Sequence, residues 1–309
     1  MAKTLIVIAG PTAIGKTSLA IKLAQYYKTE IISADSRQFY REMEIGTAKP
    51  SAKELKAAKH HFISSHSVID DFTVGDYERE ALALIERLFK VHNIVILVGG
   101  SGLFINAIIN GLDDLPTASK DVRGKLNHLL KEKGISYLQE KLKEVDPAYY
   151  SEVDIANPQR LIRALEVYEA TGKPFSNFRS KIAKKRSFDS IKIGLSTDRE
   201  TLYENINNRV DLMVDEGLVQ EVEGLRSFSY LNPLNTVGYS ELFDYFDGKS
   251  TLEEAVEKIK QNTRRFAKRQ LTWFSKSKDI KWFQPQEFES IISFLDSHLQ
   301  YPEHGEQKS

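Results

Sequence analysis

Eight residues near the start of the chain, Gly10, Pro11, Thr12, Ala13, Ile14, Gly15, Lys16 and Thr17, have the types and spacing of a phosphate cradle. The two glycines let the backbone turn so that its N–H groups point inward at an anion. Lys16 adds a mobile cation, and the Thr17 hydroxyl is a suitable ligand for Mg²⁺. A helix beginning at Lys16 would add its positive N-terminus. Loops of this kind commonly hold ATP or GTP, and the residues around this one decide what it holds.

An ATPase of this class ends a neighbouring strand with an Asp that helps to hold the metal. The candidate strand here, IVILVGGSG, ends in glycines instead. The strand-terminal carboxylate near the loop is Asp35, in SADSRQFY. At the carboxyl end of a parallel strand it would face the ligand crevice and suit the role of proton acceptor. The plainer alternative is that it caps a turn. Two chemistries stay open on these residues. One is a small-molecule kinase in which Asp35 deprotonates a hydroxyl. The other is a transferase that holds pyrophosphate as its leaving group and passes the attached carbon group to a nucleophile.

The elements that must position these groups follow from hydrophobic periodicity. Thr4–Gly10 and Asn93–Gly100 are continuous apolar runs, expected of strands buried on both faces of a parallel sheet. Glu30–Ser36 reads as a second strand, ending in a carboxylate. Helical spacing starts at Lys16, with Leu19, Leu23, Tyr26 and Tyr27 on one face, and again at Val74. This is the doubly wound α/β pattern. From about Asp113 to Asp189 only helices are predicted. One is sharply delimited, with Asn157 as N-cap, Pro158 at the first helical position, Gly172 closing it and Pro174 beyond. Ser190–Ser196 returns to strand. Helices follow from about Thr201 and about Thr251, the latter with a Thr251/Glu254 capping box. A short strand, KDIKWFQ, and a helix from about Pro285 complete the pattern. The expected fold class is therefore α/β, a P-loop NTPase-like parallel sheet. The core is expected over 1–112 and 190–300, interrupted by an all-helical insertion over 113–189. A tail over 301–309 is expected to be disordered.

Composition narrows the function classes. Lys plus Arg and Asp plus Glu are both 43, so any attraction for nucleic acid must rest on local clusters. There is no cysteine, which excludes disulfides, Cys-based zinc sites and iron–sulfur clusters. No apolar run reaches the ~20 residues of a membrane span, and a soluble, cytoplasmic chain is expected. The pair His60-His61 lacks partners at ligand spacing and reads as structural. Arg160 and Arg163 share a helix face opposite a stripe of Leu161, Ala164, Leu165 and Tyr168. Arg264 with Lys268, and Arg265 with Arg269, form a cationic stripe suited to a phosphate backbone, on a helix expected to pack through Leu252, Ala255, Val256, Ile259, Phe266 and Phe274. The basic run Lys181–Ser187 reads equally as a solvated loop or a phosphate contact.

The stretches GPTAIGKT, ISADSRQFYREMEIGTAKP, LVGGSGLF, NPQRLIRALEVYEATGKP, TVGY and RRFAKRQLTWF together resemble the tRNA dimethylallyltransferase (tRNA isopentenyltransferase) family, in the family's order from about Thr4 to Phe283. The resemblance implies transfer of a five-carbon group from dimethylallyl diphosphate to N6 of the adenosine just 3′ of the tRNA anticodon. It also implies Mg²⁺ and release of pyrophosphate without ATP consumption. It makes Asp35, Thr17 and Arg209 catalytic, with Arg209 a second phosphate cation. It assigns tRNA contacts to Asp35, Ser36, Arg37, Gln38 and Ser101, and to Arg123, Gln159, Arg160, Leu161, Ile162 and Arg163. Ser101 and Phe104 stand where the family usually has Thr and Tyr. The family's eukaryotic members often carry a zinc finger, so the cysteine-free chain resembles the bacterial form, expected to be a monomer. The alternatives are the P-loop kinase, an adenylate isopentenyltransferase acting on free nucleotide, and a non-catalytic RNA-binding P-loop protein.

Overall fold

The computed structural model describes residues 2–180 and 182–299, so the expected disordered tail lies outside the described residues. By its internal contacts the chain forms two compact units. One takes in the chain up to Ile109 and from Lys185 onward, and the other is Asn110–Lys184.

The first unit opens with β1 (Thr4–Ala9), α1 (Lys16–Tyr27), β2 (Ile31–Ser33), α2 (Ala52–Ala57), β3 (His60–His61), α3 (Val74–Leu88), β4 (Ile94–Gly99) and α4 (Gly102–Asn110). The second contains α5 (Lys120–Val145), α6 (Pro147–Tyr150) and α7 (Pro158–Thr171). The chain then returns through β5 (Asp189–Leu195), α8 (Arg199–Asp215), α9 (Leu218–Gly224), α10 (Ser240–Phe246), α11 (Leu252–Phe274), β6 (Ile280–Phe283) and α12 (Phe288–His298). Among the described residues the sheet has six strands, all parallel, in the order β3-β2-β4-β1-β5-β6.

All six residues of β1 are buried because its two faces feed separate cores. Ile6 and Ile8 pack with Leu19 and Leu23 of α1 and Ile291 of α12. Leu5 and Val7 pack on the other side with Tyr77 and Ile85 of α3 and Ile108 of α4. This double burial is why the strand carries no polar alternation. A third apolar cluster joins Val210, Leu218, Val222, Tyr239, Leu242 and Ile259 across α8, α9, α10 and α11. The sequence pattern did not reveal α9 or α10.

The expected strand Glu30–Ser36 pairs only over Ile31–Ser33, so Asp35 sits two residues beyond its end. Tyr26, expected on the buried face of α1, is 52% exposed and donates to Asp296 at 3.1 Å. His61 lies on an edge strand, with Nε2 2.6 Å from Glu30. Near the return to the sheet, Arg186 donates to the carbonyls of Ala107 and Ile108 and pairs with Glu78 at 2.7 Å. This tethers residues 185–188 to the first unit, which places the contact boundary a few residues before the expected 189. Lys184 pairs with Asp114 at 2.7 Å, while Lys181 lies outside the described residues.

In the second unit, α5 is interrupted at Gly134 (φ 75°, ψ 178°). Leu126, Leu138 and Leu142 from α5 pack on Leu161, Ile162, Leu165 and Val167 of α7. Asn157 caps α7 by accepting from the Arg160 N–H, and Gly172 closes it with φ 68°. Asn157→Ala removes that acceptor and is expected to cost about 1 kcal/mol, seen as a lower urea midpoint.

Candidate active site

The loop after β1 enters α1 through Gly15 at φ 93°, a conformation that residues with a side chain rarely adopt. No side chain caps the N-terminus of α1 and its first turn has no acidic residue. Its unpaired N–H groups and positive dipole end are left for an anion. Thr12 to Thr17 line a cavity of about 380 Å³ together with Ser33, Asp35, Gln38, Lys49, Arg209 and Gln270. Gly10 and Pro11 do not line it. The Pro11 carbonyl instead accepts a hydrogen bond from Lys16 Nζ at 2.6 Å.

The charged groups act on one another. Burial pulls the Lys16 ammonium down to about 8, with the Asp35 carboxylate pulling it upward and Arg209 downward more weakly. Arg209 is also lowered, mainly by burial, against the raising effect of Asp35 and then Glu54. Two desolvated cations and a carboxylate thus share a small volume, an arrangement that an added anion relieves. Arg209 reaches Thr12 Oγ1 at 3.4 Å and the Ala48 carbonyl at 3.5 Å.

A second cavity, about 420 Å³, is lined by Ser36, Arg37, Ser101, Phe104, Met213, Leu218, Ile259 and Trp273, among others. Thr12, Asp35, Thr47, Ala48, Arg209, Phe266 and Gln270 line both cavities. The first chamber presents mostly polar groups, the second mostly apolar ones, and Asp35 stands at both. One Asp35 oxygen accepts from the Arg37 N–H at 3.0 Å, so the carboxylate caps a turn as well as facing the cavities. Ser101 Oγ accepts from the Ser36 N–H at 3.3 Å and lies 3.4 Å from the Ser36 hydroxyl. Phe104 packs near Phe39 and Tyr77, at ring separations of 5.5 and 5.2 Å. The Gln38 amide donates to the Thr47 and Ala48 carbonyls at 3.2 and 3.1 Å, and its oxygen accepts from Ser33.

The glycine ending β4 has a steric cause. A Cβ on Gly99 would stand 2.5 Å from the Ala34 carbonyl oxygen and 2.6 Å from its carbon, so only glycine fits.

Sequence reasoning missed Gln270. Its side chain is buried, accepts from the Thr12 N–H at 2.9 Å and donates to the Gly100 carbonyl at 3.0 Å, tying the phosphate loop to the end of β4. A lone Gln in a long helix carries no pattern that would flag it. Phe266, expected on the packing side of α11, is 38% exposed at the cavities. Arg264 is turned inward, bonded to Asn207 at 2.6 Å and lying over Tyr203, which leaves Arg265, Lys268 and Arg269 as the exposed cations of the stripe.

The remaining expected contacts belong to the helical unit. Arg160 is exposed and Arg163 half-buried. Arg123 and Arg163 each stand 3.4 Å from one oxygen of the buried Glu166, and Arg123 donates to Gln159 at 3.3 Å. Leu161 and Ile162 are both 0% exposed. Their side chains fill the unit's core, which leaves only their backbone for any contact with RNA.

A family model described as IPP transferase matches residues 38–277. A tRNA dimethylallyltransferase of Christiangramia forsetii is 54% identical, covering 97% of this chain and 99% of its own. The crystal structure of the full-length tRNA isopentenylpyrophosphate transferase of Bacillus halodurans is 37% identical, with a TM-score of 0.71, covering 96% of this chain and 97% of its own. A crystallographic study of a eukaryotic dimethylallyltransferase acting on tRNA gives a TM-score of 0.79 at 26% identity, covering 96% of this chain and 79% of that one. On sequence, fold and the arrangement of the phosphate loop, the chain belongs to the IPP transferase family of tRNA dimethylallyltransferases.

Proposed function

We propose that the chain transfers the dimethylallyl group of dimethylallyl diphosphate to N6 of the adenosine 3′-adjacent to the tRNA anticodon, releasing pyrophosphate. The observation that carries this reading is the pair of cavities with Asp35, Thr12 and Arg209 in their common wall. A diphosphate in the polar chamber and an adenine entering through the other would meet at Asp35. The carbon–oxygen bond to the diphosphate breaks as N6 attacks the allylic carbon. Negative charge then grows on the leaving group, where loop N–H groups, Lys16 and Arg209 stabilise it. The N6 lone pair is delocalised into the ring, and Asp35 takes the proton that N6 sheds. The adenosine must leave its stack to reach the chamber.

Magnesium suits this site by its donors. The Thr17 hydroxyl is a hard oxygen on the cavity wall. Among the described residues no group of three His, Cys, Asp or Glu able to hold a metal occurs. Much of the ion's shell would come from diphosphate oxygens and water, as is common for Mg²⁺. When bound, it supplies further positive charge against the departing diphosphate.

Incubation with radiolabelled dimethylallyl diphosphate, unmodified tRNA and AMP, run with and without ATP, tests the reading. Label in RNA supports it. Label appearing only in AMP would favour the free-nucleotide transferase, and a phosphorylated product requiring ATP would favour the kinase. Arg160, exposed on α7, is proposed to contact an RNA phosphate. Arg160→Ala is expected to weaken tRNA binding and to reduce the slope of log K against log salt by about 1. An unchanged slope places that arginine off the RNA.

A further inference from the structure

The wall shared by the two cavities includes Thr47 and Ala48, from a loop over residues 44–49 that has no regular secondary structure of its own. Its Thr47 and Ala48 carbonyls hold the Gln38 amide, and the Ala48 carbonyl also meets Arg209. Ala48 has φ 48°, a left-handed conformation unfavourable for a residue with a Cβ. Backbone of this kind persists only where its surroundings over-determine it.

Besides the turn bond from the Ala48 N–H to the Ile45 carbonyl, the loop is held from α9, more than 170 positions away in sequence. Glu221 Oε2 accepts from the N–H groups of Glu44 and Ile45, at 2.9 and 2.7 Å. Oε1 accepts from the Gly46 N–H at 3.0 Å and from the Tyr239 hydroxyl at 2.6 Å. Three consecutive backbone N–H groups thus converge on one carboxylate, the geometry with which a backbone nest binds an anion. Here the anion is part of the chain. The Tyr239 ring closes the arrangement, since a Cβ at Gly46 would stand 2.6 Å from its edge. Charge-assisted bonds of this type are stronger than neutral ones. A glutamine could satisfy only part of the set, because its NH₂ would face N–H donors.

We propose that Glu221, locked by Tyr239, is a positioning residue for the transfer reaction. By fixing the start of the 44–49 loop it sets the carbonyls that aim Arg209 at the leaving group and hold Gln38 beside Asp35. The proposal rests on the function proposed above. Glu221 lines neither cavity, so it acts through the loop alone.

The test is steady-state kinetics of Glu221→Gln, alone and combined with Arg209→Lys, in the labelled-transfer assay, with thermal unfolding measured alongside. The expected result is a kcat lowered about tenfold or more with the KM for tRNA within about twofold, since only transition-state contacts are disturbed. In the Arg209→Lys background the same change is expected to lower kcat by less than about twofold, because neighbours acting as one unit are not additive. Glu221→Asp, which keeps the charge, is expected to recover part of the loss. A wild-type kcat in Glu221→Gln overturns the proposal, as does an equal fold-loss in both backgrounds. Should Glu221→Gln fail to fold, Tyr239→Phe carries the test. It keeps the ring against Gly46 and removes one of the four bonds. A kcat lowered two- to fivefold, roughly, in the wild-type background alone supports the proposal, and no change overturns it. If the unaltered chain itself transfers no label, the function reading fails, a result distinct from any of these.

Discussion

Asp35→Asn is expected to abolish most turnover while leaving the fold and tRNA affinity intact. The substitution keeps an oxygen that can accept from the Arg37 N–H, now at 3.0 Å, so the turn after β2 holds. What it loses is the negative charge facing both cavities. Without that charge N6 loses its proposed proton acceptor, and the positive potential around Lys16 and Arg209 is opposed less, with Glu54 left as the other carboxylate acting on Arg209. Loss of a general base typically lowers kcat by about 10²–10⁴-fold. The measurement is single-turnover transfer of labelled prenyl group, compared with equilibrium binding of tRNA. Near-normal turnover would reduce Asp35 to its turn-capping role. Asp35→Ala should lose as much chemistry and destabilise the loop as well.

Lys16→Met is expected to lower kcat/KM for the prenyl donor by about 10²–10³-fold, the range seen when one group that stabilises a developing anion is removed. Methionine fills a similar volume without the charge. The pH dependence gives a sharper form of this expectation. Lys16 in the free enzyme titrates at about 8, because burial disfavours its charge. A bound diphosphate favours the charged form and raises that value again. Donor affinity is therefore full below about pH 8 and falls as pH rises above it, and binding above pH 8 takes up a proton. Calorimetry in buffers of different ionisation enthalpy reads that proton directly. Lys16→Arg, which stays charged throughout, should flatten the profile. A donor affinity independent of pH between 7 and 10, in the unaltered chain, would show that Lys16 does not meet the diphosphate.

The parts of the fold that were legible in the sequence are those fixed by local or strictly periodic constraints. β1 and β4 are buried on both faces and therefore uniformly apolar. α7 has caps of unambiguous type at each end. The phosphate loop is a contiguous motif whose chemistry needs no partner from elsewhere. The pattern failed where a residue's task depends on distant chain. α9 and α10 are seven residues each, too short for a period to show. Helical spacing already set Leu161 on the stripe opposite Arg160, whereas the burial of Ile162 in the helical core shows only in three dimensions. Phe266 looked like part of an apolar stripe because an exposed aromatic at a cavity and a buried one have the same spacing. Gln270 and Glu221 act on loops roughly 170 to 260 positions away, through hydrogen bonds that leave no trace in composition or periodicity.

The close approach of Gly99 to Ala34 restricts the paths along which this sequence can evolve. A mutation of Gly99 to Asp would place an acid where nucleotide hydrolases keep one, but the new side chain would have to push β2 and β4 apart at their tips. Those tips carry Asp35 and Ser101, so acquiring an acid there would displace both residues, and with them the proposed prenyl-transfer site, in the same step. Crowding between two backbones thus ties any side chain at Gly99 to the positions of the groups on both strand tips.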